Sequence, residues 1–219
     1  MNILYDDKNI IVCQKNVGEL SEASRTQSSL ANQIENTYGY AGVIHRLDLN
    51  VGGAIVYAKN KSSAAYFSRL VQEKMLSKEY LAVVHGVPDE PGGEFFDYLF
   101  KDSSKNKVFV VKKERKGVKS ASLNYKLIRT VYEDGKPLSL VLVKLNTGRS
   151  HQIRVQFASR KMPLVGDGKY GSKSNKCQVA LWSFRLMFPP QKSAESLTVT
   201  SLPPQSEYPW SLFELSGDL

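Results

Sequence analysis

The stretch Ser120-Ala121-Ser122-Leu123-Asn124-Tyr125-Lys126-Leu127-Ile128, joined through Asp134-Gly135 to Leu138-Ser139-Leu140-Val141-Leu142-Val143-Lys144-Leu145, decides the fold class. Both ends are rich in residues that suit a pleated surface, and Asp-Gly favours the backbone of a tight hairpin turn. The stretch predicts two antiparallel strands. Working outward, strands are expected at residues 3–5 and 10–14, with Asp6, Asp7 and Asn9 supplying the turn between them. Others are expected at 54–58, 79–85, 107–111, 178–188 and 197–200. Residues 88–93 read as a loop within the domain.

Three short helices punctuate these strands. The first spans residues 26–36, with Leu30 and Ile34 at i, i+4. The second is capped by Asn60 and runs to Met75, with Phe67, Leu70, Val71 and Met75 on one face as core packing. The third covers 150–160, is anchored by Ile153 and Phe157, and breaks at Met162-Pro163. The pattern is α+β, a mixed, largely antiparallel sheet flanked by short helices. No internal repeat or linker interrupts it, so residues 1–219 are expected to form one domain.

The chain has 219 residues, enough to bury a core without a disulfide or structural metal. No apolar run reaches the length of a membrane span, and the first residues lack the shape of a signal peptide. A cytoplasmic protein that does not act at a membrane is therefore expected. Cys13 and Cys177 fit no ligand or redox spacing, and His45, His85 and His151 form no cluster with them. Two reduced, inert thiols and no bound metal are the expectation. The net charge of +9 points to an anionic partner. Without a basic amphipathic helix of the membrane-surface kind, nucleic acid leads. The densest basic stretch, residues 101–119, reads as a solvated hairpin loop able to touch phosphates.

Three segments carry polar groups in suggestive patterns. Val43-Ile44-His45-Arg46-Leu47-Asp48 runs into a glycine-flanked loop, which reads locally as a functional loop or as a salt-bridged turn. Ser77-Lys78-Glu79-Tyr80-Leu81-Ala82-Val83-Val84-His85-Gly86 is a β-rich run that ends at Gly86. Asn146-Thr147-Gly148-Arg149-Ser150-His151-Gln152-Ile153-Arg154-Val155 places His151 and Arg154 near one another at a helix start. An ordinary basic helix beside a phosphate-facing surface fits this segment as well.

Together these segments resemble the RluA-type family of pseudouridine synthases. The family's His-Arg-Leu-Asp motif stands intact at 45–48. Its Lys-x-Tyr-x-Ala-x-Val-x-Gly strand appears as Lys78, Tyr80, Ala82, Val84 and Gly86. Its Thr-Gly-Arg-Thr-His-Gln-hydrophobic-Arg-Val motif runs from Thr147 to Val155, with Ser150 for the second Thr, and Pro163-Leu164-Val165-Gly166-Asp167 with Tyr170-Gly171 continues the match. Three places depart from the pattern. Val51-Gly52-Gly53 stands for Thr-Ser-Gly, Lys15-Asn16 for Lys-Pro, and Leu181-Trp182 for a common Leu-His pair.

The resemblance implies an isomerase that needs no cofactor. Asp48 would be the catalytic carboxylate, acting on base or sugar, with Arg154 as its ion-pair partner. Tyr80 would pack under the uracil and share in proton abstraction. A stacked uridine must flip out to react, at a cost on the order of a few kcal/mol. Arg46 would fill the space it leaves, while Arg149 and His151 would contact RNA. The implied partner is structured ribosomal or transfer RNA, with no DNA expected, and the protein would be a monomer. Many relatives carry a small N-terminal RNA-binding domain, and because Asp48 comes early a bare catalytic domain is expected here. Two other readings share the residues: a catalytically silent RNA-binding or RNA-folding protein, and a hydrolase using paired carboxylates. The hydrolase reading lacks a second acid beside Asp48 in any motif.

Overall fold

The computed structural model describes residues 1–27, 29–190, 195–217 and 219. The chain divides into two compact units, residues 1–79 with 182–203, and residues 80–181 with 204–219. Among the described residues, no helix is long and apolar enough to cross a membrane.

In the first unit, β1 (Asn2–Asp6) and β2 (Ile10–Lys15) form an antiparallel pair. Asp7 Oδ1 closes their turn by accepting the amides of Asn9 and Ile10, both at 2.7 Å. After α1 (Leu30–Tyr38) come the two residues of β3 (Gly42–Val43) and then β4 (Gly52–Ala58). Strand β4 lies antiparallel to β2 and β3 and parallel to β10 (Leu181–Phe188), which pairs in turn with β11 (Leu197–Thr200). Every residue of β4 is buried. Ala54, Val56 and Ala58 pack with Phe67 and Leu70 of α2 (Lys61–Gln72), while Ile55 and Tyr57 are equally inaccessible on the other face. Burial on both faces is why this strand reads as an unbroken apolar run.

Both helices start where a side chain answers a free amide. Ser29 accepts from Asn32 N and Asn60 from Ser63 N, each cap worth about 1 kcal/mol. The first helix therefore begins at Leu30 and not at residue 26. The second ends at Gln72, three residues short of the expected Met75. Lys74 adopts the left-handed conformation, and the amides of Met75 and Leu76 both turn back to Leu70 O. That turn swings Met75 into solvent, 49% exposed, and buries Leu76 in its place.

The second unit is a sheet in the order β5 (Ser77–His85), β9 (Lys136–Leu145), β8 (Val118–Glu133), β6 (Gly92–Asp102), β7 (Lys107–Val111). The β8–β9 hairpin turns on Asp134 and Gly135, both left-handed, as the sequence expects. Strand β6 is not among the strands the sequence predicts, and it begins inside the loop expected at residues 88–93. Its aromatic residues fall on both faces, so it shows no clean two-residue alternation. Helix α3 (Gln152–Ser159) covers one face, with Phe157 against Phe95 at 5.0 Å between ring centres. Architecture of this kind, hairpin-linked strands with few helices, is α+β.

Candidate functional site

The His-Arg-Leu-Asp segment runs extended between β3 and β4, and its side chains alternate. His45 and Leu47 are buried, Arg46 is exposed, and Asp48 is half-buried. His45 Nε2 accepts the Val56 amide at 3.3 Å, which ties the segment to β4 and puts the ring proton on Nδ1. Burial, helped by the Lys78 charge, lowers the His45 pKa to about 3, so the ring is neutral and cannot serve as an acid near pH 7. Ser21 bonds Leu47 twice, donating to its carbonyl at 3.0 Å and accepting its amide at 3.2 Å. Arg46 pairs with Glu22 at 2.8 Å, both largely in water.

Downstream, the Val51 amide donates to Asp48 O and closes a tight turn. The carbonyl of Leu49, inside that turn, accepts from Gly18 N at 2.8 Å and from the Lys15 ammonium at 3.2 Å. Lys15 is wholly inaccessible, and its other bond is to Asn16 O at 2.9 Å. Burial pulls its pKa down to about 8, with Glu19 and Asp48 pulling the other way. The loop that displays Asp48 is thus pinned by His45 and Ser21 before it and by Lys15 and Gly18 after it. The supporting role of Lys15 is not legible in the sequence, where Lys15-Asn16 stands only as a departure from Lys-Pro.

In the second unit, Tyr80 is buried on β5. Arg154 is buried on α3 and makes a two-pronged ion pair with Asp167, Nε to Oδ2 at 2.6 Å and Nη2 to Oδ1 at 2.8 Å. The planar fork of a guanidinium matches a carboxylate in this way and a lysine cannot. The Tyr170 ring lies 5.2 Å beneath the same guanidinium. Its hydroxyl accepts the Val108 amide at 2.9 Å and shares a 2.8 Å hydrogen bond with His151 Nδ1. His151, left-handed at φ 50°, occupies the cap position of α3 without capping it, so the helix begins at Gln152 and not at Ser150. Arg149 is exposed, with Nε donating to Ser120 O at 3.1 Å. His151 and Arg154 are therefore brought together, as their spacing suggests, but through Tyr170 and Asp167. Both partners sit in the Pro163–Gly171 part of the motif, to which the sequence reading gave no role.

The family description of RNA pseudouridylate synthases matches residues 9–159. An uncharacterized RNA pseudouridine synthase of Aquifex aeolicus is 34% identical over 194 residues, covering 84% of this chain and 60% of its own length. The ribosomal large subunit pseudouridine synthase D of Borreliella burgdorferi is 28% identical over 92% of this chain and 65% of its own. The dual-specificity RNA pseudouridine synthase RluA of Vibrio parahaemolyticus is 31% identical over 80% of this chain and 71% of its own. The chain thus spans 60% and 65% of the length of the first two. Among solved structures, human RNA pseudouridylate synthase domain containing 1 superposes with a TM-score of 0.77 at 25% identity, over 93% of this chain and 83% of that one. Human RNA pseudouridylate synthase domain containing 4 shares the fold with a TM-score of 0.76 at 21% identity, over 94% and 89%. With the three motif segments in order, the mixed sheet in common and most of the length matched, the chain belongs to the RluA-type family of RNA pseudouridine synthases.

Proposed function

We propose that this protein isomerises uridine to pseudouridine in structured ribosomal or transfer RNA. The reaction breaks the bond between the sugar and N1 of uracil, forms one to C5, and moves the C5 proton to N1. Nothing is oxidised and no group is imported, so the chain's own residues suffice. Asp48 is the nucleophile, and Tyr80 packs under the uracil and helps to take the proton. Arg154 supplies the positive charge that the family pattern pairs with the carboxylate. Arg46 fills the vacated stack, and its exposed pair with Glu22 is weak enough to be given up. Arg149 and His151 meet the RNA backbone.

The observation that carries this reading is the pinned loop at Asp48. A reacting carboxylate must be held in one geometry to gain from proximity, and bonds on both sides of the loop restrict it. The test is Asp48→Asn in the full chain, with isomerisation followed by base-resolution pseudouridine mapping of a structured RNA. The variant is expected to bind RNA like the wild type and to leave every uridine unchanged. Substantial turnover by it would end the assignment. Binding without turnover by the wild type itself would identify a silent RNA-binding protein.

A further inference from the structure

One face of the β6–β7–β8 sheet is packed and the other is wet, and the wet face is the unusual one. On the packed side Leu99, Val108 and Ala121 bury themselves against Val155 of α3. On the other side stand Phe96, Tyr98 and Phe100 of β6 and Phe109 of β7. Phe96 and Tyr98 meet edge to face at 5.6 Å, and Phe100 and Phe109 are cross-strand register partners. Phe96 is 57% exposed and Phe109 36%, while Tyr98 and Phe100 are half-buried. A folded chain gains nothing by itself from leaving such rings in water, and clustered exposed apolar groups mark contact surfaces.

The cations around them say what kind. The Lys107 ammonium lies 5.7 Å from the centre of the Phe109 ring, and the Arg115 guanidinium 5.4 Å from that of Phe100. Lys112, Lys113 and Lys116 are exposed in the connection from β7 to β8. Arg149 is tied to the backbone of Ser120, the register partner of Tyr98. Aromatic rings on a sheet with a positive rim are the arrangement that stacks unpaired bases while neutralising their phosphates. Apart from Arg149, none of these residues lies in the segments that carry the family resemblance.

We infer that the solvent face of β6, β7 and β8 is a stacking platform for an unpaired RNA strand, with Phe96 and Phe109 as its most exposed base contacts. The inference rests on the RNA reading above and extends it to a second surface. Such a platform would hold single-stranded RNA flanking a target uridine, and it requires no particular sequence because every base has a face to stack.

The experiment uses the full chain with two probes, a short fluorescein-labelled oligouridylate and a blunt RNA hairpin. Phe96→Ala combined with Phe109→Ala is expected to weaken oligouridylate binding by about tenfold or more, as loss of stacking does. Phe96→Tyr with Phe109→Tyr keeps both rings and should bind like the wild type. Hairpin affinity should be the same for all three proteins. Ultraviolet cross-links from the oligouridylate should fall within β6 and β7. Circular dichroism melting checks that the Ala pair stays folded, as expected for exposed positions.

Equal oligouridylate binding by the Ala pair and the wild type would overturn the proposal, as would cross-links confined to other segments. So would a wild-type dimer that Phe96→Ala makes monomeric while cross-links there are absent, since the face would then belong to a second copy. The two readings fail separately. Isomerisation with an unaffected Ala pair removes the platform alone. Cross-links on β6 and β7 without isomerisation leave the platform and remove the catalytic role.

Discussion

Gly52 and Trp182 are register partners on neighbouring parallel strands, and each departs from the family pattern. A Cβ on Gly52 would overlap the Trp182 ring, and one on Gly53, at φ 111°, would run into the Ser183 backbone. Trp182 is buried and its indole donates to Ser201 O at 3.0 Å, so the ring cannot swing aside. The large residue thus occupies the room that the missing side chain leaves, and the two departures compensate. Gly52→Ser alone should destabilise by roughly 1–3 kcal/mol through overpacking. Trp182→His alone should destabilise by a similar amount or more, through the cavity it opens. The double variant restores the common pairing of residues, and its loss should fall short of the sum by roughly 1–3 kcal/mol. Urea unfolding of the four proteins measures this coupling, and simple additivity would show the two positions to be independent.

Elements hold the candidate site by their ends, and Lys15 at the end of β2 is the costliest such support. Its folded pKa, about 8, lies below the ordinary 10.5 of an unfolded lysine. Below pH 8 both states carry the proton, and the folded state bears the full cost of burying the charge. Between about 8 and 10.5 the unfolded state binds more protons, so stability rises with pH across that window. The gain is on the order of 3 kcal/mol. Lys15→Met should be as stable as the wild type or more so at pH 7, and should lack this rise. Its isomerisation rate should nonetheless fall, because Leu49 O loses the ammonium that steadies the Asp48 turn. Unfolding free energies and single-turnover rates at pH 7, 9 and 10.5 compare the two proteins. Parallel stability curves would show that Lys15 titrates as in water. None of this was legible in the sequence, where a lysine closing an apolar strand looks like its solvated end. The cap at Asn60 and the Asp134-Gly135 turn are legible because their chemistry is local, whereas the Ser29 cap lies past the helix start expected at residue 26. Met75 and β6 were misread because a helix stop and a two-faced aromatic strand depend on what packs against them.

For the whole molecule, the net charge of +9 predicts RNA binding that weakens steeply with salt, and the candidate site residues should divide by this measure. The resemblance assigns Arg46 to the vacated stack and Arg149 to an RNA contact, but the sequence does not show how their surroundings differ. Arg149 is exposed and anchored through Nε to Ser120 O, so its charge is held at the surface as a phosphate contact requires. Arg46 is held by an exposed pair with Glu22, which on the proposed function it would exchange for a flipped-out nucleotide's place in the stack. A phosphate contact contributes to the counterions released on binding, whereas a side chain that fills a stack does so only weakly. Arg149→Ala should therefore reduce the slope of log K against log[salt] by about 0.7–0.9, with a uniform loss of affinity across RNA sequences. Arg46→Ala should leave that slope close to the wild-type value and lower the single-turnover rate on a stacked target uridine. The rate loss should shrink on an RNA whose target is already unstacked, since the flipping cost is then absent. Filter binding over a range of potassium chloride, with turnover on paired and unpaired targets, separates the two. Equal slope changes for both variants, or a rate loss for Arg46→Ala that ignores target stacking, would show that Arg46 is another phosphate contact.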